Sequence, residues 1–256
     1  MTLTQDNYFS KEANQHYMSA SQFKAFSKCP AAAIAETEGK YKREQTTSLL
    51  VGSYVDAHFE GTLDKFIKAN PGILKKDGTL KAEYIQAEAI IKRLEKDKLF
   101  MEYMNGKKQV IMTGEICGVP FKIKVDVLHD DKVVDLKIVK DFEPIYDSES
   151  GILPWYEFWA YDLQGAAYQE IVRQNVGKKL PFYLNAATKE KVTDLDILHL
   201  PQNMLDFQFE RLQNNIVRYD AMKKGIIEAE RCEKCDYCKQ TKVLTEPTEI
   251  DGIFIF

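Results

Sequence analysis

Lys124-Val125-Asp126-Val127-Leu128 and, one short turn later, Val133-Val134-Asp135-Leu136-Lys137 are the stretches whose reading decides the fold. Side chains alternate between the two faces of a strand, so Asp135 and Lys137 share one face while Val134, Leu136 and Ile138 take the other. In the preceding strand Asp126 is opposite in phase to Phe121, Ile123, Val125 and Val127. The Asp130-Asp131 turn makes the strands neighbours and sets Asp126 beside Asp135. Two carboxylates and an ammonium then converge on one polar spot in an apolar sheet. A bare Asp-x-Lys is usually a surface ion pair. These aspartates stand among Val and Ile in strands that read as central, where unpaired charge is costly.

Such a set suits phosphodiester hydrolysis. Carboxylate oxygens hold Mg²⁺ with several waters retained. The cation polarises a phosphoryl oxygen and lowers the pKa of an attacking water. A lysine two residues on orients that water or stabilises charge on the pentavalent phosphorus.

Outward from this core, Gln109 to Ile116, Phe121 to Leu128 and Lys132 to Val139 read as a three-stranded meander, with turns at Cys117-Gly118 and Asp130-Asp131. Upstream, Ser19 to Ala35 reads as a helix broken near Lys28 by Cys29-Pro30, and Thr47 to Gly61 as a second. A long amphipathic helix runs from Lys81 to Met101. Downstream, Asp141 to Trp155 reads as a polar, mobile loop and Tyr156 to Gln174 as a helix. Pro181 to Thr188 and Asp194 to Leu200 are strands, and Pro201 to Ile227 a last helix. The fold class is therefore α/β, a central mixed sheet flanked by helices. One domain is expected over 1–256: a mainly helical part at 1–106, a catalytic sheet core at 107–200, and a C-terminal helix with a cysteine-rich tail at 201–256.

Asp126 followed on the next strand by Asp135-Leu136-Lys137 resembles the core of the PD-(D/E)XK nucleases, the restriction-endonuclease-like fold. Gly52-Ser53-Tyr54-Val55-Asp56-Ala57-His58 resembles the Gly-x5-His helix of RecB-type members, and Gln164-Gly165-Ala166-Ala167-Tyr168 is similar to their Gln-x3-Tyr motif. Within the superfamily the chain looks most like the RecE-like phage exonucleases. The resemblance implies catalysis by Asp126, Asp135 and Lys137, and Mg²⁺ or Mn²⁺ held by His58, Asp126, Asp135 and the Leu136 carbonyl. It also implies DNA contacts from Gln164 and Tyr168, which share a helix face at i and i+4. Glu115 is a supporting acid, with Glu88, Glu95 and Glu102 as alternatives that the sequence does not separate.

Cys232-x2-Cys235-x2-Cys238 is flanked by Arg231, Lys234, Lys239 and Lys242, and Cys29-Pro30 lies far upstream in Ser-x2-Gln-Phe-x2-Phe-x2-Cys-Pro. This arrangement resembles the four-cysteine nucleases of the AddB and CRISPR-adaptation groups, which implies a [4Fe–4S] cluster. The late spacing departs from theirs, so a Cys₄ zinc site stays open, as do free thiols. Cys117, in a turn, is a bystander.

The chain has 256 residues, 45% hydrophobic and 29% charged, with a formal net charge of −4. That balance argues against a passive, basic nucleic-acid coat protein. No apolar run is long enough to span a bilayer and no leader pattern opens the chain, so a cytoplasmic protein without a membrane partner is expected. The implied activity is a 5′→3′ exonuclease on linear duplex ends, working beside a RecT-like single-strand annealing protein, with a homo-oligomer open. The other readings are a catalytically silent DNA-end or protein-binding module and an end-trimming or endonuclease member. No P-loop pattern is present, so a motor would be a separate chain.

Overall fold

The computed structural model describes residues 1–247; the end of the expected tail, 248–256, lies outside them. The helices are α1 Lys11–His16, α2 Ala20–Lys28, α3 Pro30–Thr37, α4 Thr47–Phe59, α5 Leu63–Ala69, α6 Ala82–Leu94, α7 Lys98–Tyr103, α8 Trp155–Phe158, α9 Tyr161–Val176, α10 Gln202–Lys223 and α11 Asp236–Gln240. The strands are β1 Lys107–Ile116, β2 Val119–Leu128, β3 Val133–Val139, β4 Ile145–Asp147, β5 Gly151–Leu153, β6 Phe182–Thr188 and β7 Leu195–Leu200. Five of them form one mixed sheet in the order β1-β2-β3-β6-β7, in which only β3 and β6 run parallel. The restriction-endonuclease-like α/β architecture read from the sequence is the one observed. Among the described residues no helix is long and apolar enough to cross a membrane.

Each sheet face carries its own core. Val133, Phe182, Leu184 and Ala186 pack with Phe23 and Phe26 of α2, Leu163 and Ile171 of α9, and Leu212 of α10. Val134, Leu136 and Ala187 pack with Val55 of α4, Ile90 and Ile91 of α6, and Phe100 of α7. Asp135 and Lys137 take the first face, as strand alternation requires.

Alternation fails in β2. Phe121, Ile123 and Val125 enter the first core, but Val127 enters the second, so the predicted single phase breaks at Asp126. The cause lies on both neighbours. Gln109 of β1 takes a left-handed backbone, φ 52°, and the β1–β2 register passes from Lys108↔Val127 to Val110↔Val125 with no pair between. On the other side β2 pairs with β3 only at Val127↔Val134 and Leu128↔Val133. Beyond that point β2 leaves β3, and the N-terminal segment enters beside it. The Met18 amide donates to the Pro120 carbonyl at 2.8 Å, and the Lys122 amide to the Met18 carbonyl at 2.9 Å. A cleft opens where the sheet splays.

Two predicted elements differ. The long helix from Lys81 to Met101 is two, because the Asp97 carboxylate caps α7 by accepting from the Phe100 amide at 3.0 Å. The stretch from Asp141 to Trp155 holds the β4–β5 hairpin. Asp147 Oδ1 accepts from the Glu149 and Ser150 amides at 2.9 and 2.8 Å, and Gly151 supplies a φ of 79° that other residues resist. The Ser19 helix breaks as predicted, with Cys29 closing α2 and Pro30 opening α3.

Candidate active site and cysteine cluster

The splayed region of β2 and β3 lines a cleft with Asp126, Asp135, Leu136 and Lys137. Asp126 Oδ2 accepts from the Leu136 amide at 3.0 Å, and its Oδ1 from Gln109 Nε2 at 3.3 Å. The carboxylate thus occupies the gap where strand pairing has stopped. Asp135 Oδ2 is ion-paired with Lys137 Nζ, and its Oδ1 accepts from Gln164 Nε2 at 2.8 Å. Lys137 Nζ also donates to the Leu136 carbonyl at 3.2 Å. Tyr168, one helical turn after Gln164, donates from its hydroxyl to the Lys124 carbonyl at 3.2 Å. Gly165 makes this seating possible: a Cβ there would lie 2.8 Å from the Phe182 ring and 3.1 Å from Leu205. Its absence lets α9 approach β6 and brings Gln164 to Asp135.

Of the residues predicted from sequence, Asp126, Asp135, Leu136, Lys137, Gln164 and Tyr168 therefore meet in one cleft. His58 is not among them. Its Nε2 lies 2.9 Å from Glu95 Oε1, on a face of α4 away from the carboxylates. Successive helical residues turn by about 100°, so Asp56, two positions earlier, points nearly the opposite way. Asp56 and Glu60 are the residues of α4 that line the cleft. Glu115 also stays away: it sits near the hairpin end of β1, and Gln174 bonds its backbone amide and carbonyl at 3.0 and 2.8 Å. Glu88 accepts from the Tyr54 hydroxyl, and Glu95 is engaged by His58.

Lys24, Asp56 and Glu60 at the site were not singled out from sequence. Lys24 of α2 donates to Gln164 Oε1 at 3.3 Å. Its ammonium and that of Lys137 lie 4.9 and 5.1 Å from the centroid of the Tyr161 ring. The signal for Asp56 and Glu60 was their i, i+4 spacing in phase with Gly52, where α4 approaches Ile138 of β3. Lys24 left no such signal, since it adjoins the apolar positions Phe23 and Phe26.

Crowded carboxylates set the electrostatics. Burial, reinforced by Asp126, raises Asp56 well above the usual carboxylate range. Burial pushes Asp135 up to about 7; Lys137 opposes the rise and Asp126 adds to it. Burial also raises Glu60, with Lys124 opposing. Lys24 is pushed down to about 7 by burial and by Lys137. Burial alone would lower Lys137, but Asp135 and Asp126 outweigh it and hold the ammonium charged. Asp56, Asp135 and Glu60 are all raised around a lysine held charged, so a divalent cation among them would relieve their mutual repulsion. Asp56, Asp126, Asp135 and Leu136 line the cleft together, and their oxygens are hard donors of the kind Mg²⁺ or Mn²⁺ takes.

A second constellation lies at the α2–α3 corner. The sulfurs of Cys29, Cys232, Cys235 and Cys238 all lie within 4.8 Å of one another, the grouping that the likeness to four-cysteine nucleases implied. Cys117 is exposed and apart.

No curated protein matches the chain in sequence. The chain is 44% identical to the crystal structure of a "Putative exonuclease" from Eubacterium rectale, with a TM-score of 0.94 over 99% of this chain and 100% of that one. Residues 19–241 match the family described as a PDDEXK-like domain of unknown function (DUF3799), a span from the helix cap at Ser19 to the end of the cysteine cluster. With both sheet carboxylates, the lysine and the Gln-x3-Tyr helix inside that span, the chain belongs to this PDDEXK-like family.

Proposed function

We propose that the cleft hydrolyses phosphodiester bonds of DNA with a divalent cation, Mg²⁺ or Mn²⁺, working inward from the ends of linear duplex. The observation that carries the reading is the meeting of Asp126 and Asp135 where β2 leaves β3, with Lys137 paired to Asp135. A binding module gains nothing from drawing three acids into one cleft with Asp135 fully buried, which costs folding energy. Bound there, the cation polarises the phosphodiester and lowers the pKa of a water.

The chain's own residues do the rest. Asp56, Asp126 and Asp135 hold the cation, and Gln164 fixes the orientation of Asp135. Lys137, held charged, offers its ammonium to the negative charge that grows on the phosphoryl oxygens. Lys124 lines the same cleft and neutralises a backbone phosphate, which positions a strand without reading its sequence, while the buried Lys122 is held by the Tyr8 carbonyl and Asn14 Oδ1. Resemblance to the RecE-like exonucleases adds the 5′→3′ direction and a single-strand annealing partner to this proposal. The test uses purified protein with Mg²⁺ on linear duplex labelled at either end and on covalently closed circles. Progressive shortening of the linear duplex with intact circles supports the proposal. Rapid cutting of relaxed circles replaces it with an endonuclease.

A further inference from the structure

The cysteine cluster has a size, and that size discriminates between the groups it can hold. Cys29 Sγ lies 3.6 Å from Cys238 Sγ, and Cys232 Sγ lies 4.0 Å from the same sulfur. No pair among the four sulfurs exceeds 4.8 Å. A single ion with metal–sulfur bonds of about 2.3 Å in a tetrahedron sets its sulfurs about 3.8 Å apart. In a [4Fe–4S] cube each thiolate holds a different iron and projects outward from a corner, which sets the sulfurs about 6 Å apart. The observed separations match the first and fall short of the second. They are also far longer than the roughly 2 Å of a disulfide bond.

We infer that Cys29, Cys232, Cys235 and Cys238 bind one zinc ion as a closed tetrahedral thiolate site, in place of the iron–sulfur cluster that the family resemblance implies. The surroundings suit four thiolates on one divalent ion. The Cys235 amide donates to Cys232 Sγ at 3.3 Å, the short turn that lets two sulfurs of a Cys-x2-Cys stretch face one point. Arg231 steadies the turn, bonding the Cys238 carbonyl at 2.7 Å and the Thr241 hydroxyl at 3.0 Å. Glu233, between the first two late cysteines, takes the left-handed φ of 55° that the turn requires.

All four positions of the tetrahedron are protein ligands, so none is open for a water or substrate, and the ion is structural. It fastens the segment after α10 to the α2–α3 corner, where the Ala31 amide donates to the Glu230 carbonyl at 3.1 Å. Cys29 and Cys238 are buried there with Ala32 against Tyr237 and Ala31. This inference is independent of the nuclease proposal, because it concerns sulfurs that do not line the carboxylate cleft.

The test is metal and sulfide analysis of the full chain, purified once in air and once anaerobically without metal-affinity resin. The expected result is colourless protein with about one zinc per chain in both preparations. Exchange for Co²⁺ should give the visible bands of a tetrahedral cobalt thiolate. Cys232→Ser, at a partly exposed position, should lower zinc affinity at least tenfold and speed proteolysis of residues 228–247, while Cys117→Ser keeps full zinc. Brown anaerobic protein with about four irons and matching sulfide would overturn the inference. So would a single iron, a pair of disulfides, or protein free of metal whose Cys232→Ser form resists proteolysis as well as the wild type.

Discussion

Replacing Asp135 with asparagine removes a charge that the fold holds unfavourably. The Asp135 side chain is 2% exposed, and its carboxyl is raised from 3.8 to about 7. A carboxyl raised in the folded state binds its proton more tightly there than in the unfolded chain. Stability is therefore highest at low pH and is lost as pH rises from the unfolded value through the folded one. At about 1.4 kcal/mol per unit, the whole window from pH 4 to 7 is worth about 4 kcal/mol, of which about 2 kcal/mol falls between pH 5 and 7. Asparagine keeps the shape and the oxygen that accepts from Gln164, but not the titration. Urea unfolding of both proteins in divalent-free buffer should thus show Asp135→Asn gaining about 2 kcal/mol on wild type between pH 5 and 7. Its offset at pH 5, where the wild-type carboxyl is protonated, comes from exchanging a carboxylic acid for an amide and does not vary with pH. Added Mg²⁺ should stabilise wild type more at pH 7 than at pH 5 and leave the variant nearly unmoved. A difference between the two proteins that stays flat across that range would refute a buried, raised carboxyl at Asp135.

Asp56→Ala should cut Mg²⁺-dependent hydrolysis about 100-fold or more, while His58→Ala stays within about threefold, measured as initial rates on linear duplex. Equal loss in the two variants would return His58 to the cation site. Lys137→Ala should keep DNA affinity within a few-fold yet lose turnover, because its ammonium acts on charge that develops in the transition state; a DNA-binding titration beside single-turnover rates separates the two. Gly165→Ala should destabilise by about 1–3 kcal/mol in urea unfolding, since its methyl would meet the Phe182 ring at 2.8 Å. A neutral result would mean that α9 can withdraw from β6 at no cost.

The sheet site was legible because strand periodicity leaves little choice. Asp135 and Lys137 must share a face, and a short turn must bring Asp126 near them. The helix contribution was legible only in part. The sequence places α4 correctly, but which of Asp56 and His58 points at the sheet depends on the helix's rotation, fixed by contacts with β3 far away in sequence. The i, i+4 set Gly52, Asp56, Glu60 carried that information, and the likeness of Gly-x5-His drew attention from it. The break of phase at Asp126 was not legible at all, since it follows from a left-handed Gln109 on another strand and from β2 leaving β3. Asp97 and the hairpin after Asp141 were missed for a local reason: their polar residues cap a helix and close a turn, and both uses look alike in a sequence of loops. The three late cysteines were legible from their spacing and Cys29 only through the likeness to four-cysteine nucleases, while the distance between sulfurs depends on how the chain ends meet.

Single-turnover hydrolysis of end-labelled linear duplex in saturating Mg²⁺, comparing wild type with Asp126→Ala and Asp135→Ala, each checked for native circular dichroism, decides whether the two sheet carboxylates carry the chemistry. Wild type is expected to shorten the duplex in a Mg²⁺-dependent way, and either folded variant to lose at least about 1,000-fold. Hydrolysis within a few-fold of wild type in either one would contradict it.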